Sequence, residues 1–530
     1  MTNLNRIFTV NGQPFFPLGG QSRNSSGYND SESEAAFRAV KLIHGNTLEI
    51  PVYWEQVEPQ EGLFDFTSVD ALLATARRNG IKLVLLWFGT WKNGNMDYVP
   101  GWVKTTPERF KRIVAPTGKA VWVLSSHCQA NLEADRRAFV ALCQHLRERD
   151  GAERTVIALQ VENEPGVLGS DRDYGLEGQI EFAKPVPAEL LSRMKLAGTG
   201  KVFETWQAAG ARKAGNWTKV FGRAAGEMMT AWSIASYIDA IAQAGKVVYD
   251  IPMYINVWLG EIGWRIAGES YPSGGAVSRT LDIYKWFTPH IDLIAPDIYT
   301  ANDRGYQAVC ALYARNDNPL FIPESAPGGS NAWNIFRALG DYGAIGYAFF
   351  AIEHILAEDG SIRADHAMLV DSFRSAAAAI PLLLQYQGTG KIHTIVQEEN
   401  LHAQTLSLDG WLGLVEFGDF WKDWRHRDHL LGEQQRGRGL VIQADRNEFY
   451  LVGGAYRLVL RPILPPEQQL DISVTRDNLL HCLAHYVSVE EGHFDASGRF
   501  VVDRRRNGDE IDNGVWVEPD TGVVRVVMTD

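Results

Sequence analysis

The chain has 530 residues, too many for one compact core and enough for a barrel of about 250–400 residues plus one further domain. Its net charge is −13 and its acidic and basic residues are interleaved. This excludes nucleic acid and an anionic membrane as main partners, because both require a basic face. No window approaches the ~20 apolar residues of a membrane span, and residues 1–10 lack the pattern of a signal peptide. We therefore expect a cytoplasmic protein.

Short apolar runs, each followed by helical periodicity, recur through residues 1–387. Such runs are typical of strands in a parallel sheet, which is buried on both faces. Eight of them occur, the number in a closed (β/α)₈ TIM barrel, at 14–20, 46–54, 81–87, 155–161, 253–258, 291–299, 320–324 and 344–351. An open doubly wound sheet has a similar alternation, but no Gly-rich phosphate loop follows the first run. The pattern favours the barrel.

Two further segments complete the predicted organisation. A long insertion at about 166–248 follows the fourth strand and is expected to be a lid or an ornament on the active-site face. From 388 to 530 the pattern changes to antiparallel strands with turns, such as 515–517 and 523–528. We predict a C-terminal antiparallel β-sandwich-like domain there. Its role is open between shaping the edge of the barrel, binding carbohydrate and forming a homo-oligomer interface.

Two glutamates end the fourth and seventh candidate strands, on the face where barrel enzymes carry their active sites. Glu164 lies in the segment QVENEP (160–165) and Glu324 ends the segment LFIPE (320–324). A single glutamate at a strand end is more often a structural ion pair or a cap. Here Asn163 stands beside Glu164, where its amide can bind a hydroxyl near the reacting carbon, and both strand ends belong to one eight-strand pattern. This combination favours catalysis.

Two carboxyl groups facing each other across a barrel mouth suit the hydrolysis of a glycosidic bond. Retaining glycosidases hold them about 5–5.5 Å apart. One carboxylate attacks the anomeric carbon, and the other carboxyl group protonates the leaving oxygen and later activates water. We predict Glu324 as the nucleophile and Glu164 as the acid/base.

The same residues resemble those of a large clan of retaining glycosidases, whose acid/base and nucleophile lie on the fourth and seventh barrel strands. The segment NTLEIPVYWEQVEPQEGLFDF (46–66) is similar to one shared by β-galactosidase families 35 and 42. The segment LWFGTWKNG (86–94), with the later WVK (102–104), is similar to a bacterial branch of family 35 that also carries a C-terminal β domain. The resemblance implies an exo-acting β-galactosidase.

The end of the first strand departs from that branch. The chain reads QSRNSS (21–26), with Gln21 where the branch usually has a glutamate that binds sugar hydroxyls. A glutamine still donates and accepts hydrogen bonds, but it cannot make the stronger charge-assisted bonds of a carboxylate. A different sugar is therefore an open alternative.

Further candidates for sugar binding share a position at or just after the end of a strand. They are Asn24, Trp54, Trp91, Lys92, Asn93, Asn163, Asn256, Trp258, Asp297, Tyr299 and Glu353. A core or rim packing role is an equal alternative for each aromatic residue. Tyr299 is expected to donate a hydrogen bond to the nucleophile, and Asp297 is as well suited to pair with an arginine.

The sequence thus predicts hydrolysis of a terminal β-linked sugar, galactose first, in a small oligosaccharide or glycoside. The first alternative keeps the mechanism and changes the sugar, to that of a glucosidase, a fucosidase, an arabinosidase or an enzyme for an unusual bacterial sugar. The second alternative is a non-catalytic carbohydrate-binding protein. No cofactor or metal signature is found in the sequence.

Overall fold

Eight parallel strands close into a barrel in the computed structural model, which describes residues 7–261, 263, 265–398, 401–417, 435–463, 485–511 and 514–529. Seven strands belong to one sheet and the segment 320–325 completes the ring. They are β1 (Leu18–Gln21), β2 (Thr47–Tyr53), β3 (Lys82–Lys92), β4 (Val156–Asn163), β5 (Met253–Trp258), β6 (Leu293–Asp297), β7 (320–325) and β8 (Tyr347–Phe350).

The seventh strand, β7, is joined to its neighbours by single bridges. Ile298 pairs in parallel with Ser325, and Ile322 pairs in parallel with Tyr347. The ring closes between β8 and β1, where Phe350 stands opposite Gln21. The predicted barrel is therefore confirmed.

Fourteen α-helices lie in the described residues. They are α1 (Asp30–Leu42), α2 (Trp54–Val57), α3 (Thr67–Asn79), α4 (Gly101–Lys104), α5 (Gln129–Asp150), α6 (Leu176–Ala183), α7 (Ala188–Ala197), α8 (Lys201–Ala208), α9 (Trp217–Phe221), α10 (Ala225–Val248), α11 (Leu281–Phe287), α12 (Asp303–Tyr313), α13 (Asn334–Phe336) and α14 (Ala367–Tyr386). Short 3₁₀ helices lie at Gly222–Ala224, Gly329–Asn331, Ile352–Ile355, Ala364–His366 and Gly508–Glu510, and a π-helix at Arg337–Asp341.

Local sequence signals set where these elements begin and end. The side chain of Asn29 caps α1 by accepting the Glu32 N–H at 3.1 Å. Helix α3 ends at Gly80, whose φ of +66° favours glycine, as the Asn79-Gly80 pair predicts. A Cβ at Gly19 would lie 1.7 Å from the carbonyl oxygen of Thr47, so only glycine lets β1 approach β2.

Apolar side chains fill the barrel interior at the amino ends of the strands, whereas polar side chains line it at the carboxyl ends, called here the upper end or mouth. One apolar cluster gathers side chains from six barrel strands and from Ile345, two residues before β8. Phe8 joins it, next to a short antiparallel hairpin at Thr9–Val10 and Gln13–Pro14. The members include Phe8, Tyr53, Val84, Leu86, Phe88, Ile157, Tyr254, Leu293, Ala295, Phe321 and Ile345. This packed layer closes the bottom and leaves the carboxyl ends of the strands for chemistry.

The long connection after β4 contains five helices, α6 to α10. The second half of this connection is the long helix α10. The first half also contains helices, α6, α7 and α8, although its sequence is polar and contains glycine and proline. The short helices α6 to α9 have few apolar positions each, so periodicity alone did not indicate them.

Ten strands form a two-sheet sandwich after the barrel. They are β9 (Ile392–Val396), β10 (Ala403–Leu408), β11 (Trp411–Phe417), β12 (Arg438–Asp445), β13 (Glu448–Gly454), β14 (Tyr456–Pro462), β15 (Tyr486–Phe494), β16 (Phe500–Arg505), β17 (Val515–Val517) and β18 (Val523–Met528). The larger sheet has the order β9-β12-β13-β18-β15-β16 and the smaller β10-β11-β14-β17. The predicted C-terminal β-sandwich-like region is confirmed.

The larger sheet is buried on both faces. One face packs against the smaller sheet through residues such as Val441 and Leu458, and the other joins the barrel core through Leu440 and Val452 beside α14. The stretch Ala364–Tyr386 has the length and hydropathy of a membrane span, and half of that window is buried inside the protein. Its apolar residues therefore serve as the contact between barrel and sandwich.

The cysteines that the structure describes, Cys128, Cys143 and Cys310, are free and buried. The four cysteines are scattered along the sequence, which predicts reduced thiols, and the fourth, Cys482, lies outside the described residues.

Candidate active site

Three carboxyl groups meet at the upper end of the barrel. Glu164 follows β4, Asp297 ends β6 and Glu324 lies in β7. One carboxylate oxygen of each lies within 4.8 Å of one oxygen of both others, and all three residues are buried. The structure therefore brings Glu164 and Glu324 face to face, as the strand-end argument predicts, and adds a third acid.

Asn256 of β5 links these three acids. Its Oδ1 accepts a hydrogen bond from the Glu164 backbone N–H at 2.8 Å. Its Nδ2 donates to Asp297 Oδ2 at 2.9 Å and to Glu324 Oε1 at 3.4 Å. Because Oδ1 is fixed by a backbone donor, the orientation of the amide is fixed as well.

Tyr299 approaches Glu324 from just after the end of β6. Its hydroxyl donates a hydrogen bond to Glu324 Oε2, while its ring is 45% exposed at the rim of the site. Burial and the charges of Glu324 and Asp297 hold the pKa of the hydroxyl far above its usual value, so it acts as a donor and never as a base.

The two predicted catalytic residues, Glu164 and Glu324, have different electrostatic surroundings. Burial, and then the negative charge of Glu324, raise the pKa of Glu164 to about 7, and the charge of Lys92 opposes the rise. Glu324 instead receives hydrogen bonds from Tyr299 and Asn256, which stabilise a carboxylate. An acid that is protonated near neutral pH beside a carboxylate that is held by donors suits acid/base and nucleophile roles.

The end of β4 has an unusual backbone. Glu162 and Glu164 have φ of +65° and +45°, both in the left-handed region, which is uncommon for residues other than glycine. The alternation of a regular strand is thereby broken. Glu162 accepts the Trp91 N–H at 2.7 Å on the outer side of the barrel, while the Asn163 amide turns to Lys92 at the mouth.

Lys92 and two asparagines form one side of the mouth. Lys92 Nζ donates to Asn163 Oδ1 at 2.9 Å and to Asn93 Oδ1. The Nδ2 of Asn163 is buried and has no hydrogen-bond partner among the described residues. Such a donor beside Glu164 is suited to a substrate hydroxyl, the role predicted for this amide.

The loop after β1 forms another side and is fixed by Glu353. Glu353 accepts hydrogen bonds from the Ser26 hydroxyl at 2.5 Å and from the Arg23 N–H at 3.1 Å. The Nε2 of Gln21 is buried with no partner in the described part of the chain, and the Asn24 carbonyl accepts from Tyr53 at 2.6 Å. Glu353 therefore positions this loop, whereas its predicted role was to bind the sugar.

Two predicted sugar-binding aromatics are packed in the core. Trp54 is fully buried, and its Nε1–H donates to Glu58 at 3.0 Å. Trp91 is also fully buried, with its ring edge-on to Tyr237 at 4.9 Å. Neither ring is exposed for a sugar to stack on, so both take the packing alternative. Trp258 at the end of β5 is partly exposed beside Asp297.

Two buried acids near the mouth escaped the sequence analysis. Glu49 of β2 accepts the Tyr254 hydroxyl at 2.9 Å, and burial, with the charge of Glu324 adding to it, holds its pKa well above the usual value. Glu162 lies against Asp135 of α5 and has a similarly raised pKa, caused by burial and by the charge of Asp135. An acid inside an otherwise apolar strand is the signal that indicates both.

Glu164, Asp297 and Glu324 are also close enough to offer three oxygen ligands to one cation. Carboxylate oxygens suit hard cations such as Ca²⁺ or Mg²⁺. A cation there would occupy the atoms that an attack on a sugar requires, and the prediction that the enzyme uses no metal or cofactor stays a prediction.

Several solved structures are similar to this chain. The β-galactosidase from Bacillus circulans sp. alkalophilus has 15% identity and a TM-score of 0.47, over 70% of this chain and 57% of that one. A family 42 β-galactosidase from G. stearothermophilus has 15% identity and a TM-score of 0.48, over 69% and 57%. The catalytic domain of a β-amylase from Paenibacillus polymyxa has 13% and 0.48, over 68% and 98%. This chain spans just over half the length of the two β-galactosidases.

Two family models match parts of the sequence. Residues 369–518 match a domain of unknown function, DUF5597. Residues 26–193 match glycoside hydrolase family 42, described as β-galactosidase, so the match includes Glu164 and ends before Glu324. The model that matches is that of family 42, one of the two families named in the resemblance, whereas the closer resemblance was expected to be to a branch of family 35. The first half of the barrel is therefore similar to glycoside hydrolase family 42, in agreement with the predicted class of enzyme.

Proposed function

We propose that this protein is a retaining, exo-acting glycoside hydrolase that removes terminal β-linked galactose from small oligosaccharides or glycosides. The observation that carries the mechanism is the separation of at most 4.8 Å between carboxylate oxygens of Glu164 and Glu324. Retaining glycosidases have their carboxyl groups about 5–5.5 Å apart, whereas inverting ones leave about 6.5–9.5 Å for a water molecule. The approach of these oxygens favours the retaining class.

In the first half of the reaction Glu324 attacks the anomeric carbon while Glu164 donates its proton to the glycosidic oxygen. The bond between that carbon and oxygen breaks, and the sugar becomes an ester of Glu324. Tyr299 and Asn256 hold Glu324 in place, and the raised pKa of Glu164, about 7, keeps the proton available near neutral pH.

In the second half Glu164, now a carboxylate, takes a proton from water. The water oxygen bonds to the anomeric carbon on the face that the leaving group vacated, and the ester bond to Glu324 breaks. Two inversions give net retention. Both glutamates then carry the charges with which they began.

The choice of galactose is supported by the description of the family model that matches residues 26–193. Gln21 favours a second candidate, an enzyme of the same mechanism for another sugar, because its buried amide offers a neutral donor where a carboxylate is expected. A panel of nitrophenyl β-glycosides decides between them. The galactoside is expected to have the highest kcat/KM. A preference of tenfold or more for the glucoside, fucoside or arabinoside would contradict galactose and assign that sugar instead.

The mechanism is tested by Glu324→Ala. We expect kcat to fall by roughly 10⁴–10⁶-fold, because the nucleophile is gone. Added azide is expected to restore part of the turnover and to yield the glycosyl azide of opposite anomeric configuration. Glu189→Ala is the matched control, since Glu189 is an exposed acid paired with Arg193 on α7, far along the chain from these strands. Wild-type turnover by Glu324→Ala would refute the proposal.

A further inference from the structure

Asp297 is the third carboxyl group at the mouth, and the proposed reaction does not use it. It is 3% exposed, and its Oδ2 accepts a hydrogen bond from Asn256 Nδ2 at 2.9 Å. Its Oδ1 is buried and has no hydrogen-bond partner among the residues that the structure describes. No arginine pairs with it in that part of the chain, which removes the alternative that the sequence left open.

The surroundings of Asp297 disfavour a negative charge on it. Burial, and the charges of Glu324 and Glu164, hold its pKa well above the usual value. The nearest cation, Lys92, is engaged by the side chains of Asn163 and Asn93. The other titratable groups that face it are the hydroxyls of Tyr254, Tyr299 and Tyr313, whose own pKa values are raised.

Charge balance in the proposed reaction leads to the same result. Three carboxylates within 4.8 Å in a buried site repel one another strongly. Glu324 must be ionised to attack, and Glu164 must alternate between its two forms. Asp297 is the one member of the three that can keep a proton throughout.

The hydrogen bonds show which oxygen carries that proton. Oδ2 already accepts the amide hydrogen of Asn256, and the amide cannot be reversed, because its oxygen accepts the Glu164 N–H. The proton therefore resides on Oδ1, the atom that has no partner among the described residues, and one carboxyl oxygen of Asp297 lies within 4.8 Å of one of Glu164.

We propose that Asp297 is a neutral carboxylic acid whose O–H donates a hydrogen bond to the Glu164 carboxylate in the second half of the reaction. This inference rests on the retaining mechanism proposed above. In the first half Glu164 holds its own proton and needs no donor. In the second half the donated bond orients Glu164 as it takes the proton from water. The proton of Asp297 is not transferred, so Asp297 is a positioning residue.

The test separates the two halves of the reaction with 2,4-dinitrophenyl β-galactoside. Its leaving group needs no protonation, so the second half limits its turnover. Asp297→Leu, similar in size and without a donor, is expected to lower kcat about 10–100-fold. KM should fall with kcat, and a burst of dinitrophenol should appear, because the glycosyl-enzyme accumulates. Azide, which needs no base, should restore kcat.

Asp297→Asn is the matched control, because its amide can still donate. It is expected to stay within about fivefold of the wild-type kcat, since a neutral hydrogen bond contributes only about 1 kcal/mol. An Asp297→Asn variant as impaired as Asp297→Leu, or an Asp297→Leu variant without a burst, would overturn the inference.

A second measurement covers the case in which Asp297→Leu does not fold. The infrared difference spectrum between the wild type and Asp297→Asn at pH 8 should contain the carbonyl band of a protonated carboxylic acid. Absence of that band would overturn the inference. The proposed function fails separately, through an active Glu324→Ala variant. If Glu324→Ala is inactive and Asp297→Leu turns over normally, only the inference fails.

Discussion

Two glutamates at the end of β4 lie two residues apart and serve different regions of the barrel. Glu162 faces α5 on the outside, and Glu164 faces the mouth. Both are buried, and burial is the largest cause of the raised pKa in both. A raised pKa therefore does not by itself distinguish a catalytic acid from a structural one.

The partners distinguish them. Glu162 lies beside Asp135, whose oxygens accept hydrogen bonds from Trp87 Nε1 at 2.9 Å and from the hydroxyl of Thr90 at 2.6 Å. These donors stabilise the charge on Asp135, so the proton of this pair resides on Glu162. Glu164 faces two further carboxyl groups and side chains with unpaired buried atoms, such as Asn163. The protein itself supplies donors to both outer acids, although Oε1 of Glu162 has no partner among the described residues. The mouth has several such atoms, on Asn163, Gln21 and Asp297.

The comparison predicts opposite results for one substitution at the two sites. Glu164→Gln is expected to lower kcat/KM by roughly 10³-fold or more on alkyl galactosides, because the general acid is lost. Glu162→Gln should stay within about fivefold of the wild type, because a glutamine still accepts the Trp91 N–H and donates toward Asp135. Equal losses in both variants would show that Glu162 takes part in the chemistry. Steady-state kinetics on one alkyl galactoside suffice.

For stability the order of the two sites should be reversed: removing the Glu162 side chain should destabilise the protein more than removing that of Glu164. Glu162→Ala leaves the buried Trp91 N–H without an acceptor and Asp135 without the carboxyl group that shares its proton, and is expected to cost about 2–4 kcal/mol. Glu164→Ala removes one of three mutually repelling carboxyl groups and should leave the stability unchanged or raise it. Thermal unfolding of the two variants beside the wild type gives both shifts in Tm. A Glu162→Ala variant as stable as the wild type would contradict the structural role.

The pH dependence should follow Glu164 alone. Because Glu164 must be protonated for the first half of the reaction, kcat/KM is expected to fall as the pH rises through about 7. Lys92 lowers the pKa of Glu164, so Lys92→Met should raise it and move this limb to higher pH, by about one unit. Glu162→Gln should leave the limb in place. A limb that moves downward in Lys92→Met would refute this assignment.

The sequence was sufficient for the barrel, the two facing glutamates and the sandwich. Strand position alone determines where Glu164 and Glu324 emerge, since all strands of a parallel barrel end at one face. The orientation of other side chains could not be predicted, because the left-handed φ of Glu162 and Glu164 breaks the alternation on which such predictions rest. Trp54 and Trp91 lie at the ends of strands, which predicts contact with the sugar, but their rings turn into the core.

Asp297 illustrates what a single sequence leaves out. Its position at the end of β6 was evident, but its two alternatives, an arginine partner or a sugar hydroxyl, depended on which residues β4, β5 and β7 bring beside it. The side chains that surround Asp297 are set by the curvature of the closed ring, which determines the distances between side chains of strands that are not adjacent. A list of strand ends does not contain those distances.

The hydrogen bonds between Glu353 and the loop after β1 limit how early the active site can form during translation. The loop that carries Gln21 leaves the ribosome early, but the carboxylate that fixes Ser26 and Arg23 follows 327–330 residues later. Until then the loop is held by Tyr53 but lacks its bonds to Glu353, and a nascent chain released before that point has an incomplete site. The cell thus obtains a working catalyst only after nearly the whole barrel has been translated.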